Sequence, residues 1–183
     1  MKFLDLVKKR QSVRRYLINK PIEDEKLERI LSAAHLAPSA SNSQPWTFIV
    51  VNEPKLTLQV AKATHGKFIG INKWVVESPL IIVLVVEKPK ITTQIGGAIK
   101  GKDYPLIDIG IAGEHMCLQA EEDGIGSCML GWFDETKIKQ LLKIPKNKFI
   151  GLVISFGYAP EDYKQRVKIR KPINKIVRKN SYL

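Results

Sequence analysis

Cysteine and histidine are nearly absent from this chain of 183 residues, which holds two of the first and three of the second. Cys117 and Cys128 fit neither a CxxC motif nor a zinc-ligand spacing, and His35, His65 and His115 are scattered far apart. No metal site is expected. Both cysteines sit among apolar residues and read as core thiols rather than nucleophiles. Long apolar runs are missing as well: the longest, Leu80 to Val86, falls far short of the roughly 20 residues that cross a bilayer. The opening "MKFLDLVKKR" carries charge in every turn, which excludes a signal-peptide core and makes the cytoplasm the expected location. GxGxxG does not occur, so a Rossmann site would lack its phosphate turn. "GGAIKGKD" (Gly96 to Asp103) meets the GxxxxGK spacing. The "KPKITTQI" before it is a weak strand, however, and Asp103 stands where a P-loop needs Ser or Thr for magnesium. A Ser-His-Asp arrangement, HExxH and paired catalytic carboxylates are not recognisable either.

Acidic residues are also in short supply, 18 against 30 Lys and Arg, for a net charge of +12. Residues 1–20 hold seven Lys/Arg against one Asp, and residues 137–183 hold thirteen against two acids, which leaves 21–136 at −5. Such asymmetry points to an anionic partner near both ends, either nucleic acid or a phosphorylated cofactor, over a background of solvated lysines. No RNP-type aromatic pattern interleaves the basic stretches, which weakens RNA binding. Hydrophobic residues at 44% and charged residues at 26% describe an ordinary soluble globular chain, long enough to bury one core.

What is present is a regular alternation of elements. "FLDLVKK" predicts a short amphipathic helix. "EDEKLERILSAAHLA" places Leu27, Ile30, Leu31 and Ala34 on one helical face, with acids in the first turn where the helix dipole favours them. "TFIVV" reads as a buried strand, "EPKLTLQVAKAT" as a helix, and "SPLIIVLVVEKP" as the strongest strand. From Pro105 to Asp123, residues Ile109, Gly113, Met116 and Ala120 predict a long helix with small residues along one side, ended by Gly124. "IGSCMLGWF" is a short strand, Asp134 an N-cap for "ETKIKQLLK", and "FIGLVISFGYAP" another apolar strand. The tail "EDYKQRVKIRKPINKIVRKNSYL" is polar and extended in character. No repeat or linker divides the chain, so one domain over 1–183 is expected, with helices covering a sheet of about four strands.

Three stretches do not fit a plain scaffold. "APSASNSQPW" (Ala37 to Trp46) puts ten small, polar and proline residues between a helix and a strand, where two to six usually suffice. A backbone this bare can lie close against something flat. "RQSVRRY" (Arg10 to Tyr16) offers Arg10, Ser12 and Arg14 at alternating positions, and "VKIRKP" repeats the device with Lys168 and Arg170. Arg suits bidentate phosphate binding, and one basic set from each end of the chain could close on a single phosphate.

Together these segments resemble the FMN-dependent nitroreductase family: "RQSVRRY" stands in the place of RRSxRxY, and "APSASNSQPWTFIVV" in that of APSxxNxQPWxFIVV. "DIGIAGEHMCLQAEEDGIGSCMLGWF" is similar to the family's long helix with its GLGTCWIGxF continuation, and "FGYAPEDYKQRVKIRKPINKIV" to its GYPxxxxxxKxRxPLxEIV tail. The resemblance implies an α+β nitroreductase-like fold with a central mixed β-sheet of about four strands flanked by helices, and a C-terminal tail packing on the partner subunit of a homodimer. It implies FMN as cofactor and NADH or NADPH as co-substrate. Pro38, Ser39 and Ala40 would lie along the flavin, with Asn42 and Gln44 reaching it from the partner subunit. Arg10, Gln11, Ser12 and Arg14 would hold phosphate, ribityl and pyrimidine edge, and Lys168 and Arg170 would complete the phosphate clamp. Leu130, Gly131 and Trp132 would pass near flavin N5, and Asn72 is expected at the pyrimidine end. Hydride would pass through N5 to a nitroaromatic, quinone or similar small-molecule acceptor, with no residue needed as general acid. "EKPKITTQIGGAIKGKDY" is the expected substrate lid, its glycines permitting movement. The competing readings are a basic nucleic-acid-binding domain and a flavin-binding protein without turnover.

Overall fold

The longest apolar run in the chain becomes the strand β2 (Leu80–Val86), and its position explains why it has no polar residue. It lies inside a four-stranded sheet of order β1-β2-β4-β3, with β1 at Trp46–Val51, β3 at Gly126–Leu130 and β4 at Phe149–Gly157. In this computed structural model, which describes residues 2–66 and 70–182, helices cover both faces of that sheet. Leu80, Ile82 and Leu84 share one core with Ile30 and Ala34 of α2 (Asp24–His35) and with Ile109, Ala112, Met116 and Ala120 of α5 (Tyr104–Glu122). Ile81, Val83 and Val85 point the other way, to Val60 and Ala61 of α3 (Pro54–Ala63) and Ile138 of α6 (Glu135–Leu142). A strand buried on both faces reads as continuous rather than alternating. Each such side chain contributes on the order of 1.5–3 kcal/mol by burial.

At α5 and α6 the helix start follows a capping residue. Asp134 accepts the Lys137 N–H at 2.9 Å, as its place before α6 predicts. Asp103 accepts the Leu106 N–H at 3.3 Å and starts α5, with Pro105 in the first turn. Gly113 on α5 has a packing reason: a Cβ there would stand 2.9 Å from Leu152 Cδ2 of β4.

The sheet is not mixed. All three strand pairings are antiparallel, and the parallel contact among the described residues is an isolated bridge between Ser12 and Ser127. The expectation failed because a helix between two strands usually carries the chain back to start a parallel neighbour. Here the connection from β1 to β2 holds both α3 and a 3-10 turn at Lys73–Glu77, and the chain re-enters where it left, Val51 beside Ile81.

The stretch expected as a lid contains a helix, α4 (Ile91–Lys100). Gly97 inside it lies against the Lys102 carbonyl, 2.7 Å from where a Cβ would stand, and Gly101 ends it with φ +61. The tail is extended, as its composition predicts, with one short helix, α7 (Ile173–Ile176). Its Val167 and Ile169 are each 90% exposed, so they join neither core. No helix among the described residues is long and apolar enough to cross a membrane.

Candidate functional site

The first helix, α1 (Phe3–Lys9), stops at Arg10, and the chain continues extended along the free edge of β3. Val13 donates its N–H to the Ser127 carbonyl at 2.9 Å. The C-terminal tail then returns over this segment. Arg166 donates its backbone N–H to Gln11 Oε1 at 3.1 Å and its guanidinium Nη2 to the Ser12 carbonyl. Lys168 Nζ donates to the carbonyls of Val7 and Arg10 at 2.7 and 2.6 Å, and the Tyr163 hydroxyl accepts the Arg14 N–H at 3.0 Å. Arg10, Gln11, Ser12, Arg166, Lys168 and Arg170 line a cleft of about 320 Å³. The two basic segments read from opposite ends of the sequence thus meet in space.

Four cationic side chains, Arg10, Arg166, Lys168 and Arg170, share this cleft. Arg10 Nε is buried without a hydrogen bond, with Glu114 Oε1 of α5 3.4 Å away. Burial lowers the Lys168 ammonium pKa below its ordinary value, and the neighbouring Arg10 and Arg170 lower it further. Cys128, on the β3 edge beside this segment, is buried, and burial raises its thiol against the opposing pull of Arg14, Ser12 and Arg166. Burial pushes Cys117 up to about 12. Both cysteines are core thiols, as their apolar surroundings predict.

The loop after α2 is a separate construction. Ala40–Asn42 form a single 3-10 turn, and Ser41, Asn42 and Gln44 all have positive φ, 52, 50 and 48 degrees. Such a backbone costs energy for residues other than glycine and must be held. Inside the loop, Ser39 Oγ accepts the Gln44 N–H at 2.9 Å, and Gln44 Nε2 donates to Asn42 Oδ1 at 2.9 Å. From α4, Thr93 pairs with the Ser43 hydroxyl at 2.8 Å, and Lys90 Nζ donates to the Ser41 carbonyl at 3.3 Å. From α5, Asp108 accepts the Ala40 N–H with both oxygens at 3.2 Å.

At the end of β3, Leu130 is buried while Gly131 and Trp132 are exposed. Asn72, in a left-handed conformation, donates Nδ2 to the carbonyls of Trp132 at 3.1 Å and Thr64 at 3.2 Å. Its side chain therefore ties down the turn that follows β3.

Among the described residues no hydrogen bond or ion pair joins the 38–44 loop to residues 10–14 or 166–170. The two sets are anchored at different places on α5, at Asp108 and at Glu114. Six residues of helix separate those anchors by about 9 Å along the axis and about 120 degrees around it. One chain brings the basic cleft together and leaves the small-residue loop elsewhere.

Comparison with known proteins gives this arrangement a lineage. The sequence profile of the nitroreductase family matches residues 7–158. The chain belongs to the nitroreductase family. A protein of Archaeoglobus fulgidus, named as a proposed NADH dehydrogenase/NAD(P)H nitroreductase, is 34% identical over 170 residues, covering 88% of this chain and 87% of that one. The iodotyrosine deiodinase of Thermotoga neapolitana is 29% identical and covers 100% of both chains. Among solved structures, a nitroreductase family protein from Clostridium novyi NT superposes with a TM-score of 0.78 at 36% identity, covering 91% of this chain and 89% of that one. The FMN-dependent nitroreductase of Clostridium difficile does so with a TM-score of 0.78 at 28% identity, covering 98% and 100%.

Within this nitroreductase-family chain, four residues at the two clusters escape a reading of the sequence. Arg166 belongs to the same alternation as Lys168 and Arg170, one step earlier, and extending that pattern finds it. Tyr163 and Glu114 carry no local signal. Asp108 does carry one: it is an acid in the apolar run "LIDIGIAG" of a helix, and it is buried.

Proposed function

We propose that this protein is an FMN-dependent NAD(P)H oxidoreductase that works as a homodimer and reduces nitroaromatic, quinone or similar small-molecule acceptors. The observation that carries this reading is the cleft where Arg10, Ser12, Arg166, Lys168 and Arg170 converge, four cations around one hydroxyl. A terminal phosphate fits that donor set. It offers acceptor oxygens to the Ser12 hydroxyl and the exposed Arg170 guanidinium, and its charge offsets the lowering of the Lys168 pKa by burial and by the neighbouring Arg10 and Arg170. A clamp on a phosphate monoester favours FMN, whose phosphate is terminal, over FAD, whose phosphates are bridging.

Each residue then has a task. Arg10, Ser12, Lys168 and Arg170, joined by Arg166, hold the phosphate; Gln11 and Arg14 hold the ribityl chain and pyrimidine edge. Arg14 places positive charge at the pyrimidine side, where electrons accumulate. Leu130, Gly131 and Trp132 line the edge at N5, and Asn72 keeps their turn in place. FMN, when bound, supplies the hydride-accepting and hydride-donating centre. Pro38, Ser39 and Ala40 present a thin backbone to the ring, with Asn42 and Gln44 beside it. Because this loop and the basic cleft lie apart in one chain, the loop acts across the subunit boundary. Ile173 and Ile176 of α7, exposed in the single chain, pack on the partner.

Purified protein is expected to be yellow, to release FMN on heating, and to bleach with NADH or NADPH. Chromatography of the released cofactor decides: FAD, or no flavin, would refute the assignment. An acceptor panel of a nitroaromatic, a quinone and a halotyrosine separates reductase from deiodinase activity, a distinction the fold does not make.

A further inference from the structure

We propose that Asp108 is the positioning residue for the 38–44 loop: through the Ala40 N–H, its carboxylate holds the loop in the conformation that presents Pro38 to Ala40 to the flavin. The proposal deepens the FMN reading above and rests on it for the identity of what the loop faces.

Asp108 sits in the fifth position of α5, between Ile107 and Ile109, and is 3% exposed. No ion pair among the described residues involves it. Both of its oxygens lie 3.2 Å from one backbone nitrogen, that of Ala40. A buried carboxylate with one shared donor is an expensive arrangement, and an apolar side chain would spare the helix that cost. Burial accordingly raises its pKa above the ordinary aspartate value, with the Ala40 N–H pulling the other way. What the arrangement yields is geometry. Immediately after Ala40 the chain enters Ser41, Asn42 and Gln44, three non-glycine residues of positive φ within four positions. A loop in that conformation relaxes unless tied at both ends. Ser39 and Gln44 tie it to itself, and Thr93 ties Ser43 and the Ala40 carbonyl to α4. Ala40 lies where the turn begins, and Asp108 fixes it to α5, the helix that also carries Glu114 beside Arg10. One rigid helix thus sets where the loop stands and where the basic cleft stands.

The test is amide hydrogen exchange, residue by residue, on the protein freed of flavin, together with FMN titration and steady-state kinetics. Asp108→Ala is expected to speed exchange at Ala40 to Gln44 at least tenfold, with β2 and β4 unchanged. It should weaken FMN binding about tenfold and lower kcat more than it raises KM. Asp108→Asn keeps an acceptor for the Ala40 N–H and should restore most of this. Exchange in the loop and FMN affinity within twofold of wild type would overturn the proposal, as would faster exchange throughout the protein to the same extent. If Asp108→Ala does not fold, Ser39→Ala decides. It removes the acceptor of the Gln44 N–H and leaves Asp108, so the Ala40 amide should stay protected while Gln44 loosens. Loss of protection at Ala40 would then refute Asp108 as the anchor. A wild-type protein that binds no FMN would sink the cofactor reading, while the exchange results would still judge the tie itself.

Discussion

Arg170 offers the cleanest probe of the basic cleft. Its guanidinium is exposed and donates to the carbonyl of its own neighbour Ile169 at 2.9 Å, so truncation removes little that holds the fold. Lys168 is a poorer target, because its ammonium also bonds the carbonyls of Val7 and Arg10 where α1 ends. A charge-assisted hydrogen bond to phosphate is worth about 1.5–3 kcal/mol, which corresponds to a loss of about 10- to 150-fold in FMN affinity for Arg170→Ala. Lys179→Ala, an exposed cation further along the tail, should change affinity by no more than about twofold. The assay is titration of flavin-free protein, followed by quenching of flavin fluorescence. Riboflavin serves as the control, since it lacks the phosphate. Arg170→Ala should leave riboflavin affinity nearly unchanged, and the gap between FMN and riboflavin should shrink as salt is added. Equal losses for FMN and riboflavin, or equal affinities for the Arg170 and Lys179 variants, would refute the clamp.

The pH dependence of stability should rest in part on Tyr158. Its hydroxyl, with Lys26 adding to the effect, holds the exposed Glu23 carboxyl at about 2 instead of 4.5. A depressed carboxylate stabilises above its unfolded pKa and loses that contribution as pH falls toward the folded one. Tyr158→Phe should therefore lower Tm above about pH 5, by an amount that shrinks to nothing as the pH falls toward 2; an equal loss at every pH would contradict the link to Glu23. Gly113→Val should cost about 1–3 kcal/mol by overpacking against Leu152, read by denaturant titration; an unchanged midpoint would contradict the close contact. Sedimentation at micromolar concentration should give a dimer, and a monomer that keeps flavin tightly would contradict the shared site. Binding to duplex or single-stranded oligonucleotides should be weak and fall steeply with salt; nanomolar, sequence-dependent binding would favour a nucleic-acid function instead.

The parts of this molecule that were legible in its sequence are those where one local rule decides. β2 announced itself because burial on both faces removes all polarity, and α6 because Asp134 is a strong cap. The facing basic pairs were legible because alternation in an extended chain puts Lys168 and Arg170 on one side. Strand direction was not, since it depends on how many legs a connection has, and the turn at Lys73–Glu77 added one. Asn72 shows a different limit: the expectation puts it at the pyrimidine end, and in the fold its amide donates to the carbonyls of Thr64 and Trp132. A side chain with both donor and acceptor atoms does not reveal from sequence whether it faces a ligand or the backbone.

The tie between Arg166 and Ser12 spans 154 positions, and that between Lys168 and Arg10 spans 158. Contacts of such range form late, because the loop they close must be ordered first. The sheet is complete at Gly157, so it and its helices can pack before residues 166–170 are in place, whereas the cleft cannot form without them. An anion bound there would require both segments and stabilise the fold that joins them by mass action. It would then act as a clasp between residues 10–14 and 166–170, and a chain cut after residue 163 would be folded, yet unable to retain it.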